Sequence, residues 1–279
     1  MIDLCLAIVS SALVSIVMRL SERRVRGTVS MLAVNYFMCL FLAATYTGVE
    51  NLFPDQPGLV QTVGLGAING ALYLLGFVLL QISVKKNGVV LSATFMKLGL
   101  LVPLVVSVVF FGELPKPAQI VGACIAVAAI ILINFEKEDS ELGVQAGLLL
   151  LLLLAGGGGD AMSKVFEELG NGALSEQFLL YTFLFALLFC LALVLHRREK
   201  PGKADLFFGL LIGIPNYFSA RFLLKSLEHL AAVIVYPTYS VATIVVVTMA
   251  GVCFFRERLK KRQWVAVAAI LVALALLNL

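Results

Sequence analysis

The chain nearly repeats itself at an interval of 144 residues, and that periodicity limits its fold more than any single residue does. Phe110-Phe111-Gly112-Glu113-Leu114 recurs as Phe254-Phe255-Arg256-Glu257-Arg258. At the same offset Met18 meets Met162, Leu79-Leu80 meets Leu223-Leu224, Thr94 meets Thr238, Gln119 meets Gln263 and Asn134 meets Asn278. Each copy is a series of apolar runs. If one copy holds an odd number of membrane spans, the next must enter the bilayer from the opposite face. Inverted repeats of this kind occur in secondary transporters, with the substrate site near the bilayer midplane.

The apolar content requires lipid as a solvent. Of 279 residues, 61% are hydrophobic and 14% charged, with a mean hydropathy of +1.02. An ordinary soluble domain carries about 25% charged residues, and a globule of this size has no interior large enough for the excess. The basic residues lie in short clusters between apolar runs, which is no footprint for nucleic acid. Cys5, Cys39, Cys124, Cys190 and Cys253 all fall inside apolar runs without metal-ligand spacing, so they read as small hydrophobes. Met1–Leu20 lacks the basic start of a cleavable leader and reads as the first span.

A span takes about 20 apolar residues. Ten segments meet or approach that length: 3–20, 30–48, 60–83, 89–111, 117–135, 144–166, 175–195, 205–227, 232–255 and 262–279. The first five form one repeat, residues 1–135; the polar stretch 136–143 joins it to the second, residues 144–279. The expected fold is all-α and integral to the membrane, ten transmembrane helices as two inverted five-helix repeats. The odd-numbered loops hold most of the Lys and Arg, including Arg23, Arg24, Arg26, Lys85, Lys86, Arg197, Arg198, Lys260 and Lys261, while the even loops hold Lys116, Lys164 and Lys225. The positive-inside rule then puts the odd loops in the cytoplasm and both termini outside.

Two five-helix copies, each with a Glu-bearing turn before its final helix, resemble the EamA-like branch of the drug/metabolite transporter superfamily. The matching stretches are Phe111-Gly112-Glu113-Leu114 with Gln119-Ile120-Val121-Gly122, and Phe255-Arg256-Glu257-Arg258-Leu259 with Gln263-Trp264. The second copy departs by placing Arg256 where the first has Gly112. The resemblance covers essentially the whole chain. It implies a ten-helix basket with a central cavity and alternating access, and it leaves the substrate open.

Ionisable groups within spans are costly and mark functional sites by default. Lys97 lies in the fourth span, about 12 Å of helix from its start, too deep to snorkel easily. Arg221 lies in the eighth span, and Asp160 in the sixth, directly after Gly156-Gly157-Gly158-Gly159. One reading is a cationic pocket for an anionic group with Asp160 as neighbour or proton carrier; the other is an internal ion pair that only holds helices together. Two deep cations against one deep anion favour a substrate that brings the missing negative charge. The glycine run either unwinds to expose backbone or lets helices approach closely. Pro215-Asn216-Tyr217 and Tyr236-Pro237-Thr238-Tyr239 put kinks beside groups suited to line a cavity, although interfacial tyrosines are as good a reading of the second. Asn69 and Tyr73 in the third span, with Asn35 and Tyr36 in the second, are further candidates, though polar side chains in membranes commonly bridge helices. Glu113 and Glu257 read as interfacial carboxylates paired with Lys116 or Lys260. His196 and His229 have no metal-ligand partner, and the glycine run lacks the Lys-Ser/Thr of a phosphate loop.

The expected protein is a multi-pass secondary transporter of the cell membrane, and not an enzyme. It moves a small anionic or zwitterionic organic metabolite by alternating access, with proton or ion coupling through Asp160 as an option. No cofactor or metal is expected. The substrate-binding set is Lys97, Arg221, Asp160, Asn216, Tyr217, Tyr236, Tyr239, Tyr73 and Asn69. The alternatives are a permease for an organic cation, such as a quaternary amine caged by tyrosines, and a membrane protein that transports nothing. No nucleophile–base pair or metal cluster in the spans supports an intramembrane enzyme.

Overall fold

The computed structural model describes residues 1–21, 24–87, 92, 95–134, 145–255 and 261–277. Every regular element among them is helical, as lipid demands: a backbone with no water to bond must satisfy itself within each segment. The helices are α1 (Ile2–Ser21), α2 (Thr28–Thr47), α3 (Leu59–Asn87), α4 (Leu101–Phe111), α5 (Pro117–Asn134), α6 (Ala146–Leu169), α7 (Ser175–Arg197), α8 (Lys203–Leu227), α9 (Ala232–Phe255) and α10 (Lys261–Leu277). A 3₁₀ turn, Leu98–Leu100, leads into α4. Among the described residues, seven helices are long and apolar enough to cross a membrane: α1, α2, α3, α6, α7, α8 and α9. The remaining three are shorter and equally apolar. Glu257, Asn278 and Thr94 of the sequence repeat lie outside the described residues.

The chain folds as two compact units, and each draws on both sequence halves. Unit 1 comprises Met1–Leu74 and Val165–Glu228; unit 2 comprises Leu75–Lys164 and His229–Leu279.

In unit 1, α8 packs along α1 and α2, and α7 packs along α2. Two crossings are closed by glycines one turn apart. A Cβ added at Gly66 would stand 2.8 Å from Tyr181 Cβ, and one at Gly70 would stand 2.7 Å from both Ala186 N and Thr182 O, so α3 lies backbone to backbone on α7. Likewise a Cβ at Gly209 would meet Met31 O at 2.7 Å, and one at Gly213 would meet Asn35 O at 2.8 Å, so α8 lies on α2 in the same way. Small residues spaced by four let membrane helices approach this closely. In the sequence repeat α3 corresponds to α8 and α2 to α7. The same crossing is thus built twice, one residue off the 144-residue register.

The helix starts of unit 1 are tied in the same reciprocal fashion. At the start of α2, Arg26 N and Gly27 N donate to Asp205 at 2.9 and 3.2 Å, and Ser30 N donates to Glu199 at 3.2 Å. Asp205, 0% exposed, also accepts from Gly202 N at 2.8 Å and so caps its own helix. At the start of α7, Gln177 donates to Asn51 O at 3.1 Å and Tyr181 to Leu52 O at 2.6 Å, while Asn171 donates to Pro57 O at 3.1 Å. Orphan amides at a helix start need such acceptors.

In unit 2 the core joins the α4 entry, α5, α9 and α10 through Leu98, Leu100, Ala129, Ile130, Val241, Ile244, Ala266 and Ile270. The helix α6 continues unbroken through Gly156–Gly159. A Cβ at Gly99 would stand 2.8 Å from Gly157 N, so the glycine run serves close packing against the α4 entry and does not unwind.

Gly70→Ala tests the crossings. The added methyl must push two backbones apart, which costs about 1–3 kcal/mol and outweighs the gain of up to ~1 kcal/mol in helix propensity. A Cβ at Gly64 meets nothing within 4 Å, so Gly64→Ala should be neutral or stabilising. Unfolding midpoints of the two variants in detergent compare them directly; equal stability would remove the close crossing from the fold.

Candidate functional site

The nine residues expected to bind substrate fall into two sets. Lys97, Asp160, Tyr236 and Tyr239 belong to unit 2; Asn69, Tyr73, Asn216, Tyr217 and Arg221 belong to unit 1.

In unit 2, Lys97 sits at the head of the 3₁₀ turn that starts α4, and Asp160 sits on α6 just past the glycine contact. Gly99 against Gly157 presses the two elements together. Lys97 is exposed and Asp160 is half-buried. Tyr236, 1% exposed, donates its hydroxyl to the Asp160 carbonyl at 2.8 Å, which ties α9 to α6 beside the pair. It is a bridging residue and no part of an interfacial belt. Tyr239 is half-buried one turn further on.

One turn along α6 from Asp160, Lys164 is 3% exposed and pairs with Glu113 at 2.8 Å. The other Glu113 oxygen accepts from Val233 N at 3.3 Å, so the carboxylate caps the start of α9. The sequence-based pairing of Glu113 with Lys116 is thereby corrected. Lys116 uses its backbone amide on Gln119, and Lys164 is a helix residue, not a loop residue. Burial opposes the Glu113 charge, but the hydrogen bonds from Lys164 and from the backbone at the start of α9, with the Lys164 ammonium itself, hold its carboxyl below the ordinary range.

In unit 1, Arg221 grips Glu176 with two nitrogens: Nη2 to Oε1 at 2.6 Å and Nε to Oε1 at 2.9 Å. Tyr217 donates to Glu176 Oε2 at 3.3 Å, and the guanidinium lies 4.1 Å from the centre of the Tyr46 ring. Rings continue inward: Tyr46 stacks on Tyr217, Tyr217 meets Phe183, and Phe183 meets Tyr36 and Tyr73, which stack on each other at 6.4 Å. Asn216, after the in-helix Pro215, donates to Asn35 at 3.2 Å. Asn69 is buried and donates to Thr182 at 3.3 Å, bridging α3 and α7; its carbonyl oxygen has no protein partner.

Sequence reasoning missed Glu176 and Tyr46, and with Glu176 it missed the charge balance. The supposed surplus cation has its own carboxylate, so the argument for a net negative ligand falls. The signal was available in Glu176, an acidic residue in the first turn of an apolar helix.

Two measurements follow. Glu113→Gln should cost ~3–5 kcal/mol at neutral pH, the cost of breaking one side of a buried pair. A carboxyl held below its unfolded pKa stabilises fully above that value and loses the contribution as pH falls through its folded pKa. The penalty should therefore shrink below about pH 4, and a pH-independent penalty would refute the ion pair. Separately, Arg221→Met and Glu176→Gln should each cost ~1.5–3 kcal/mol. Their double variant should cost clearly less than the sum; additive losses would mean that the two do not interact.

The EamA-like transporter family matches residues 1–135 and again 145–279. An uncharacterized protein of Haemophilus influenzae is 22% identical over 273 residues, covering 95% of this chain and 93% of that one. A solved crystal structure of a protein with 16% identity superposes with a TM-score of 0.68 over 99% of this chain and 98% of that chain, a likeness of fold. With both halves of its sequence matched, the chain belongs to the EamA-like transporter family, membrane transporters and not enzymes.

Proposed function

We propose that this multi-pass membrane protein carries a small zwitterionic organic solute across the cell membrane by alternating access, and that Lys97 and Asp160 receive the solute's two charges. The observation that carries the reading is Lys97 itself. An ammonium at this point of an apolar segment is tolerated only where it meets protein, water or a partner. Lys97 is exposed, as an ammonium that lines a water-filled cavity is. The Lys97–Asp160 pair is neutral as a whole, and so is Arg221–Glu176. Neutral pairs suit a zwitterion better than a net anion. Asp160 is also the group positioned to carry a coupled proton.

In this reading all ten helices cross the membrane, five per inverted repeat, 1–135 and 144–279, with the basic loops in the cytoplasm. The doubled glycine crossing and the reciprocal ties at the starts of α2 and α7 support it. A cage for an organic cation gains no support: Tyr217 and Tyr236 are buried, and Tyr36 and Tyr73 spend their faces on each other.

The test begins with a thermal-shift screen of zwitterionic metabolites on purified protein; a ligand at about 100 times its Kd should stabilise by ~2.7 kcal/mol. Lys97→Met keeps the apolar stem and removes the charge. It should abolish both that shift and uptake into proteoliposomes while leaving membrane insertion intact. Wild-type uptake by Lys97→Met would defeat the proposal.

A further inference from the structure

Where α7 begins and α8 ends, unit 1 has a half-open cavity of about 200 Å³ whose polar wall is Ser175, Glu176, Arg221, Lys225 and Glu228. The charges on this wall are unequally committed. Glu176 accepts from Arg221 Nε and Nη2 and from Tyr217, which fills most of its acceptor capacity. Arg221 spends those two nitrogens on Glu176, and Nη1 donates to nothing among the described residues. The Lys225 ammonium and the Glu228 carboxylate make no hydrogen bond or ion pair among the described residues. The cavity therefore presents one uncommitted cationic pole, Lys225 with Arg221 Nη1, and one uncommitted anionic pole, Glu228. Ser175 already donates its hydroxyl to Gly172 O at 2.7 Å and keeps only acceptor capacity for a ligand.

We propose that this cavity is a second binding site, separate from Lys97 and Asp160, for a small group that carries both an ammonium and an anionic end. The anionic end lies against Lys225 and Arg221 Nη1, and the ammonium against Glu228. Size restricts the ligand further. At ~30 Å³ per water the space holds roughly six or seven waters, well short of the 300 Å³ or more of a drug-sized pocket. A short α-amino acid fits that description, and so does the headgroup of phosphatidylethanolamine, which shares its chemistry. On the orientation expected from the basic loops, this end of unit 1 faces the exterior.

Residue-specific labelling separates this site from the first. Full-length Lys97→Met protein in nonionic detergent micelles, with the first site silenced, is acetylated with sulfosuccinimidyl acetate and the rate is read at Lys225 by mass spectrometry. Lys200, in the α7–α8 loop, is the reference. The unmodified protein, run in parallel, controls for any loss of fold. L-alanine at about ten times its Kd should lower the ratio of Lys225 to Lys200 acetylation about elevenfold, as one plus the ratio of ligand to Kd, and the ratio cancels the reagent that the amine probes themselves consume. Acetate and ethylamine, each with one pole, should protect far less. In Glu228→Gln the advantage of L-alanine over acetate should vanish. Phosphatidylethanolamine added to the micelles distinguishes the sources: protection by the lipid alone assigns a headgroup, and protection by L-alanine alone assigns a free solute. Equal protection by acetate and L-alanine, or no protection by any probe, overturns the proposal. Because the measurement uses neither transport nor Lys97, it can fail while the transport reading stands, and the reverse.

Discussion

Lipid offers no partner to a charge, so an ionised side chain held within the bilayer needs one from the protein. The bilayer interior stabilises neither ammonium nor carboxylate, and the fold answers with neutral ion pairs, Arg221 with Glu176 and Lys164 with Glu113. Each pair joins separate elements. Arg221–Glu176 links the end of α8 to the start of α7, and Glu113 links the turn after α4 to both α6 and the start of α9. Helix positions in this fold are consequently set as much by electrostatics as by packing. Apolar contact alone would not fix them, because lipid tails wet an apolar helix as well as another helix does.

What packing does fix, it fixes through glycine. Gly66 and Gly70 of α3 against α7, and Gly209 and Gly213 of α8 against α2, bring backbones to a distance that no side chain would permit. Dispersion between close backbones substitutes for the hydrophobic drive that lipid removes. The crossing recurs in corresponding helices because the two sequence halves solve the same packing problem. The starts of α2 and α7 also solve one problem, with different chemistry: carboxylates of Glu199 and Asp205 accept from amides at one, while Gln177, Tyr181 and Asn171 donate to carbonyls at the other. The repeat preserves geometry and lets the donor groups change.

Hydropathy located all of the apolar helices, since twenty apolar residues in a row admit few other structures. It mistook their ends. Asn87 and Leu169 extend α3 and α6 beyond the apolar runs, and Lys164, counted with the loops, lies inside α6 in a buried ion pair. Lys97, Asp160 and Arg221 were legible because a charge in an apolar run is conspicuous. Their partners were not. Glu176 lies 45 residues from Arg221 and looks like any first-turn acid. Nothing local distinguishes Lys164 from Lys116 as the partner of Glu113. Nor did the repeat predict the compact units, because each unit is assembled from helices of both halves. Pairing is a tertiary property, and a one-dimensional pattern records the need for a partner without naming it.

That distinction changes the chemistry expected of the substrate. Counting charged residues in spans gives two cations and one anion, and hence a ligand with net negative charge. Pairing Arg221 with Glu176 removes one of those cations from the count, which leaves Lys97 and Asp160 to balance each other. A dipole binds a dipole best. A net anion placed between Lys97 and Asp160 would gain attraction from one and repulsion from the other, whereas a zwitterion satisfies both without leaving a charge exposed to hydrocarbon. On the proposed reading, protein and bound solute would together carry no net charge at the site, and the polar solute would cross without the desolvation penalty of an isolated ion.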